Sequence, residues 1–346
     1  GVDGFRLDVF NNYFQDTLFR DNPKSEGFSI RKLLRKFDAY DHIYDSNQPE
    51  MIGVVEDIRK IMDSYPDRYV VGETYLATSA QARTYIGENR LHAGFDYGFC
   101  NSAFNAKAYG QAFQYWDALH GDDAWPNYFF NNHDTPRSTT RFAQAESDAI
   151  PKLLLAMQLT VRGTPYLYYG EEIGMRDISL TRSQIKDPVG KRYWPFNKGR
   201  DGCRSPMQWN SKLNAGFTTG EPWLPVNKDY TVRNVDAQAA SASSLLTFYK
   251  ELIQLRRAHP ALNAGKLDMV QTENEDLLIY QRQYNDEKML IVLNFSKEIS
   301  TYQLPTADFN KWELLYAGNE PIISQMAENE LHLPAYGFGI LISRSE

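Results

Sequence analysis

The chain has no apolar run long enough to cross a bilayer. The longest, around Leu153 to Val161, contains Gln158 and Thr160 and is flanked by charge, short of the ~18 residues a membrane helix requires. It also lacks an excess of positive charge. With 37 Lys and Arg against 44 Asp and Glu, a net charge of −7 and a pI near 5.5, it offers no basic stripe for a phosphate backbone, which argues against nucleic acid as a partner. Cysteine is scarce. Cys100 and Cys203 have neither the density of a disulfide scaffold nor the spacing of a zinc site, so both are expected to be reduced and structural, as suits the cytoplasm. The chain opens at Gly1, already inside a strand-like motif, and a signal peptide upstream is compatible with that beginning. No metal-ligand spacing is found, and nothing in the composition fixes an oligomeric state.

What the chain does have is the make-up of an ordinary globular protein, 346 residues at 42% hydrophobic and 23% charged, enough for one large domain and a small one. Aromatics are plentiful, with 22 Tyr and 6 Trp. Such rings suit the faces of sugars and suit a core equally well. Strand-like runs occur at 2–9, 68–74, 94–99, 127–132 and 164–169, with helical patterns over 49–63, 79–88 and 148–162 between them. Alternation of this kind predicts a parallel sheet with helical crossovers. A long polar stretch, 171–236, follows the fifth run and reads as a loop at a substrate site. An amphipathic helix is expected over 243–259, stopped by Pro260. After Gly265 the pattern changes to short alternating strands at 277–283, 289–295, 302–304, 312–316 and 338–342, the pattern of a small antiparallel sandwich. The expected division is therefore 1–264 and 265–346.

Three carboxylates end three of the apolar runs: Asp8, Glu73 and Asp134, at roughly sixty-residue intervals, the spacing of successive strand ends at the active face of a parallel barrel. Strand alternation places Arg6 with Asp8, Val71 with Glu73, and Phe130 and Asn132 with Asp134. Two acids so placed suit chemistry on a glycosidic bond. Each residue alone has a plainer reading: Asp8 and Asp134 as helix N-caps, Glu73 as a buried ion-paired acid, Arg204 as a surface-loop salt bridge.

Together, Gly4-Phe5-Arg6-Leu7-Asp8-Val9, Gly72-Glu73-Thr74-Tyr75, Asn132-His133-Asp134 and Gly163–Tyr166 through Tyr169–Glu172 resemble four ordered sequence regions of glycoside hydrolase family 13, the alpha-amylase family. The segment Gly-Arg-Asp-Gly-Cys-Arg-Ser-Pro-Met-Gln-Trp at 199–209 resembles its exo-acting alpha-glucosidase and oligo-1,6-glucosidase branch. The run from Asn12 to Pro23 resembles alpha-glucosidase members. The likeness implies a partial (β/α)8 TIM barrel, the fourth to eighth strand units, followed by a C-terminal all-β domain. Three strands, an inserted domain and an upstream motif supplying an Asp and a His are then expected to precede Gly1.

The same resemblance implies roles. Asp8 matches the nucleophile, with Arg6 beside it favouring the ionised form. Glu73 matches the general acid/base, which burial and neighbouring carboxylates help to hold a proton. Asp134 and His133 match groups that hold sugar hydroxyls, and Arg204 an arginine that recognises the non-reducing 4-hydroxyl. Val9 is expected beside the subsite of the leaving sugar, where Val accompanies alpha-1,6 preference and Ala or Thr accompanies alpha-1,4. The partner implied is a short oligosaccharide, and no cofactor is required. In a retaining scheme the Asp8 and Glu73 carboxyls lie about 5–5.5 Å apart. A transglucosidase or sucrose isomerase keeps the same three acids. The heavy chains of amino-acid transporters share the scaffold, and some have lost the acids.

Overall fold

The computed structural model describes residues 1–29, 32–33, 36–75, 77–95, 97–121, 123–143, 147–305, 311–319 and 324–343. It forms two compact units, Gly1–Asn101 with Tyr115–Tyr128, and Ser102–Gln114 with Phe129–Glu346.

The first unit is built on a parallel sheet of three strands, β1 (Gly4–Leu7), β2 (Tyr69–Glu73) and β3 (Ala93–Phe95), in that order. In register, Arg6 lies beside Val71 and Leu7 beside Gly72, so Asp8 leaves β1 next to Glu73 at the end of β2. The helix Met51–Asp63 buries Met51, Val55 and Met62 with Phe10, Val70, Tyr85 and Leu91 in one cluster. Its apolar residues recur every three to four positions, so one face meets the sheet while the charged face stays outside. Gly72 is obligatory here, because a Cβ would lie 2.3 Å from the Phe10 ring, and only a residue without one lets that ring cross the strand. The helix Ser79–Thr84 begins with a reciprocal capping box between Thr78 and Gln81. A fourth strand segment, β4, comprises only Asn127–Tyr128.

The second unit contains the short β5 (Thr164–Pro165) and the helix Ala149–Thr160, every residue of which is buried. The helix Leu245–Ala258 is capped by Ser244, whose hydroxyl accepts from the Thr247 amide, and it buries Leu245, Leu246, Phe248, Tyr249 and Leu252. After it, β6 (Lys266–Met269), β7 (Leu277–Tyr284), β8 (Glu287–Asn294), β10 (Trp312–Tyr316) and β13 (Phe338–Ser343) form an antiparallel sheet ordered β10-β13-β8-β7-β6. The strands β9 (Ser300–Gln303), β11 (Gln325–Ala327) and β12 (Glu330–Leu333) form a second antiparallel sheet, β11-β12-β9. Leu277, Ile279, Leu290, Val292 and Leu341 of the first sheet pack with Leu331 and Leu333 of the second. Alternating positions on each strand supply this core, as expected where one face is buried.

Several boundaries differ from expectation. The run 94–99 is strand only to Phe95, and Tyr97–Cys100 is a helical turn that buries Phe99 and Cys100; residue 96 lies outside the described residues. Aromatic content suggested strand, and tertiary burial decided otherwise. The runs 127–132 and 164–169 keep only two strand residues each, so strand alternation does not set the direction of Asp134. The stretch 171–236 carries secondary structure of its own: the helix Pro188–Tyr193, the start of the helix Val235–Ala239, and four 3-10 turns, at Glu171–Ile173, Asp201–Arg204, Leu213–Gly216 and Lys228–Thr231. The helix Ala106–His120 and strands β6, β11 and β12 were not anticipated, although Tyr109, Phe113 and Trp116 recur at helical spacing and are all buried. Both cysteines are buried thiols outside any disulfide.

Candidate active site

In the first unit, one guanidinium holds two acids. Arg6 donates through Nη1 to Asp8 Oδ1 and through Nη2 to Glu73 Oε2. The remaining Glu73 oxygen accepts from the Tyr97 hydroxyl at 2.6 Å. The Glu73 side chain is 5% exposed and that of Asp8 is 72% exposed. Glu73 is thus buried with each oxygen occupied, as a buried carboxylate requires, while Asp8 faces open space. The shared cation offsets the repulsion of two neighbouring carboxylates, which a planar fork does better than a point charge.

Asp8 is not a helix cap. The residue ahead of the 3-10 turn Phe10–Asn12 is Val9, at φ 43° and ψ 39°, a left-handed conformation that costs a residue with a Cβ about 1–2 kcal/mol and is a marked outlier for a β-branched one. The chain reverses sharply there. Phe10 then enters the core, and Asn11 is fully buried. Tyr97 was missed from sequence because it lay inside a presumed strand.

In the second unit, two guanidinium groups hold one acid. Asp134 Oδ1 accepts from Arg200 Nη1 and from Arg204 Nη2, each at 2.8 Å, and His133 Nε2 lies 3.4 Å from Asp134 Oδ2. Arg204 also donates through Nε to the His133 carbonyl at 2.7 Å. Asp134 is held by a turn: Asn132 Oδ1 accepts from the amides of Asp134 and Thr135, both at 2.8 Å, a local side-chain turn typical of Asn. It caps no helix either, since the helix Ser138–Phe142 starts after Arg137. Arg204 thus combines an ion pair with Asp134 and a hydrogen bond to the neighbouring backbone carbonyl.

The loop that presents the two arginines is fastened from below. Asp187 accepts from the Arg200 amide at 2.8 Å and from Arg200 Nε at 3.1 Å, and caps the helix Pro188–Tyr193 through the Val189 amide. These bonds hold the Asp187 carboxyl below the usual carboxylate range against the opposing effect of burial. Asp201 Oδ2 takes the amides of Lys186 and Asp187 at 2.6 and 2.8 Å. Arg200 and Asp187 were not singled out from sequence. The available signal was the pair of arginines, at 200 and 204, inside one Gly-rich segment.

Deeper in this unit Glu171 is buried, and burial raises its carboxyl to about 8. Its Oε2 accepts from the Tyr168 amide at 3.2 Å. Arg137, almost fully buried over the rings of Tyr168 and Tyr169, donates to the Tyr169 carbonyl at 2.6 Å. Among the described residues, no group of three or more His, Cys, Asp or Glu side chains is arranged to hold a metal ion, and no helix is long and apolar enough to cross a membrane.

The chain matches the alpha-amylase catalytic domain over residues 1–265 and the maltogenic amylase C-terminal domain over residues 267–340. It belongs to the alpha-amylase family, whose catalytic domain is a TIM barrel, and carries a C-terminal domain of antiparallel sheet. It is 32% identical to a probable alpha-glucosidase of Rhizobium meliloti, over 97% of this chain and 62% of that protein. With an oligo-1,6-glucosidase of Bacillus cereus it shares 30% identity over 91% of this chain and 61% of that protein. Among solved structures it resembles the alpha-glucosyl transfer enzyme XgtA, with a TM-score of 0.89 and 30% identity over 99% of this chain and 64% of that one. The chain thus spans somewhat over three-fifths of the length of these relatives.

Proposed function

We propose that this chain is the part of an alpha-glucosidase that carries its reacting acids: the fourth to eighth strand units of the barrel in residues 1–264, and the all-β domain in 265–346. The substrate is a short alpha-glucoside of the maltose or isomaltose type, cleaved from its non-reducing end with retention of configuration. The observation that carries the reading is the single Arg6 guanidinium bonded to both Asp8 and Glu73. Two carboxyls bonded to one planar group are neighbours, which supports the close spacing that a retaining mechanism uses.

In the first displacement an Asp8 oxygen bonds to the anomeric carbon as the bond to the leaving oxygen breaks, and that oxygen takes the proton held by Glu73. In the second, water attacks the same carbon, gives its proton to Glu73 and releases Asp8. The exposed Asp8 is suited to attack. The buried Glu73, oriented by Tyr97, is suited to proton transfer. Asp134, His133 and Arg204 are assigned to the hydroxyls of the bound glucose, and the half-buried Val9 to the space of the leaving sugar.

The likeness to an alpha-glucosyl transfer enzyme supports a second reading, in which a sugar hydroxyl replaces water as acceptor. The sucrose isomerase reaction is a further variant of that chemistry. The test is turnover of maltose and isomaltose by the whole protein carrying this chain, with the first-formed product followed by NMR. Alpha-glucose released first is expected, and beta-glucose would overturn the scheme. Oligosaccharides accumulating at high sugar concentration would decide for transfer.

A further inference from the structure

The ends of β1 and β2 are joined beyond the sheet by one side chain. Asn11, three residues after Asp8, donates through Nδ2 to the Tyr75 carbonyl at 2.6 Å and accepts at Oδ1 from the Tyr75 amide at 2.9 Å. Tyr75 lies two residues after Glu73. An amide side chain that both gives to and takes from one backbone residue imitates a strand neighbour. It continues the β1–β2 pairing past the point where the strands stop. Because the Tyr75 amide can only donate, the atom facing it is fixed as oxygen.

The same side chain reaches a third segment. Asn11 Nδ2 is 3.2 Å from Ser46 Oγ and 3.0 Å from Asn47 Oδ1, while the Asn11 carbonyl accepts from the Asn47 amide at 2.8 Å. Asn11 is fully buried and Ser46 nearly so, hence the contact between these two side chains is shielded from water. The neighbouring Phe10 ring lies over Gly72 and meets Tyr85 edge-on at 5.0 Å. The left-handed turn at Val9 brings both residues back onto β2. Phe10 and Asn11 thus fasten the segment that follows Asp8 to the strand that ends in Glu73.

We infer that Asn11 is a positioning residue: its amide ties the segment after β1 to the segment after β2 and thereby sets the separation of Asp8 and Glu73. This rests on the reading of those two residues as nucleophile and proton donor. Misplacing reacting groups by about 1 Å costs about a hundredfold. A loosened pair should suffer most where the leaving group needs the Glu73 proton, and little where it departs without one.

The experiment compares kcat/KM of the whole protein on maltose and on 4-nitrophenyl alpha-glucoside for wild type, Asn11→Ala and Asn11→Asp, with hydrogen exchange of the Tyr75 amide in each. Asn11→Ala is expected to lose about a hundredfold on maltose and about tenfold or less on the nitrophenyl glucoside, with the Tyr75 amide deprotected. Asn11→Asp keeps the shape and the acceptor but cannot donate to the Tyr75 carbonyl when ionised. It should show the same selective loss if the alanine variant does not fold. Equal fractional losses on both substrates, the signature of a smaller folded fraction, would overturn the inference, as would unchanged kinetics. Tyr75 protection that survives Asn11→Ala would show that no tie exists. A wild type inactive on every glucoside, with Tyr75 deprotected in the variant, would defeat the glucosidase reading and leave the tie standing.

Discussion

The two units treat their acids in opposite ways. In the first, a single cation serves two carboxylates, Asp8 and Glu73, at the ends of adjacent strands. In the second, two cations serve one carboxylate, Asp134, presented by a turn and approached by a fastened loop. Strand ends place side chains through backbone register, so one shared guanidinium suffices to hold the pair. A turn lacks that register, and its acid is placed instead by a network of side chains, Asn132, Arg200, Arg204 and Asp187. Among the described residues, Arg6 is the one cation paired with either acid of the first arrangement, the other Glu73 oxygen accepting from the neutral Tyr97 hydroxyl. The second is redundant.

The largest effect should come from the acid at the open end of the first arrangement. Asp8→Asn in the whole protein is expected to lower kcat by about ten-thousandfold or more, as loss of a covalent nucleophile does, while the melting temperature moves little because the side chain is 72% exposed. Retained turnover would remove Asp8 from the chemistry. Next comes Arg6→Lys, which keeps the charge and loses the fork that reaches both acids. A fall in kcat of about a hundredfold is expected, with KM less affected. A Lys variant of ordinary activity would mean that shared bonding is not what aligns the pair.

Arg204→Ala probes the redundant arrangement. Asp134 keeps its bond to Arg200 at 2.8 Å, so its charge stays paired and the loss should appear in KM more than in kcat, about tenfold to a hundredfold in kcat/KM. The lengths of the products should broaden if Arg204 closes the pocket behind one glucose. Unaltered kinetics and products would return it to a structural part in holding the His133 carbonyl. If Arg204→Ala proves as damaging as Arg6→Lys, the contrast between a sole cation and a paired one fails.

Sequence legibility follows the same contrast. Asp8, Glu73 and Arg6 were readable because strand alternation predicts which side chains share a face, and the sheet register agrees. The helices at 51–63, 149–160 and 245–258 and most strands after Gly265 were readable from apolar periodicity. The residues that were not readable act through backbone or through distant loops. Asn11 is an unremarkable Asn in a polar run until its partner at Tyr75 is seen, and Asp187 precedes the arginine that it holds by 13 positions. Tyr97 was hidden by an aromatic run whose strand propensity was overridden by packing. Asp134 was found through its motif, yet the strand geometry invoked for it does not exist: β4 stops at Tyr128.

The smallest expected effect concerns stability rather than turnover, and it separates the second unit's buried interior from its ion-paired loop. Glu171 is buried with a folded value of about 8 against 4.5 as the ordinary value, raised chiefly by desolvation and further by Glu172, and opposed by the Tyr168 amide, Arg137 and Asn131. The folded protein therefore keeps the Glu171 proton over a range in which the unfolded chain has released it. In that range the native state binds more protons, so stability falls as pH rises. The contribution is fully present below about 4.5 and is lost as pH passes through about 8. Glu171→Gln imitates the protonated acid and keeps an oxygen for the Tyr168 amide. Its melting temperature should match wild type near pH 5 and exceed it by a few degrees near pH 9. Glu172 and Tyr249 also sense this region, so the informative quantity is the difference between variant and wild type at each pH. A difference that stays constant from pH 5 to pH 9 would show that Glu171 is already ionised in the folded protein.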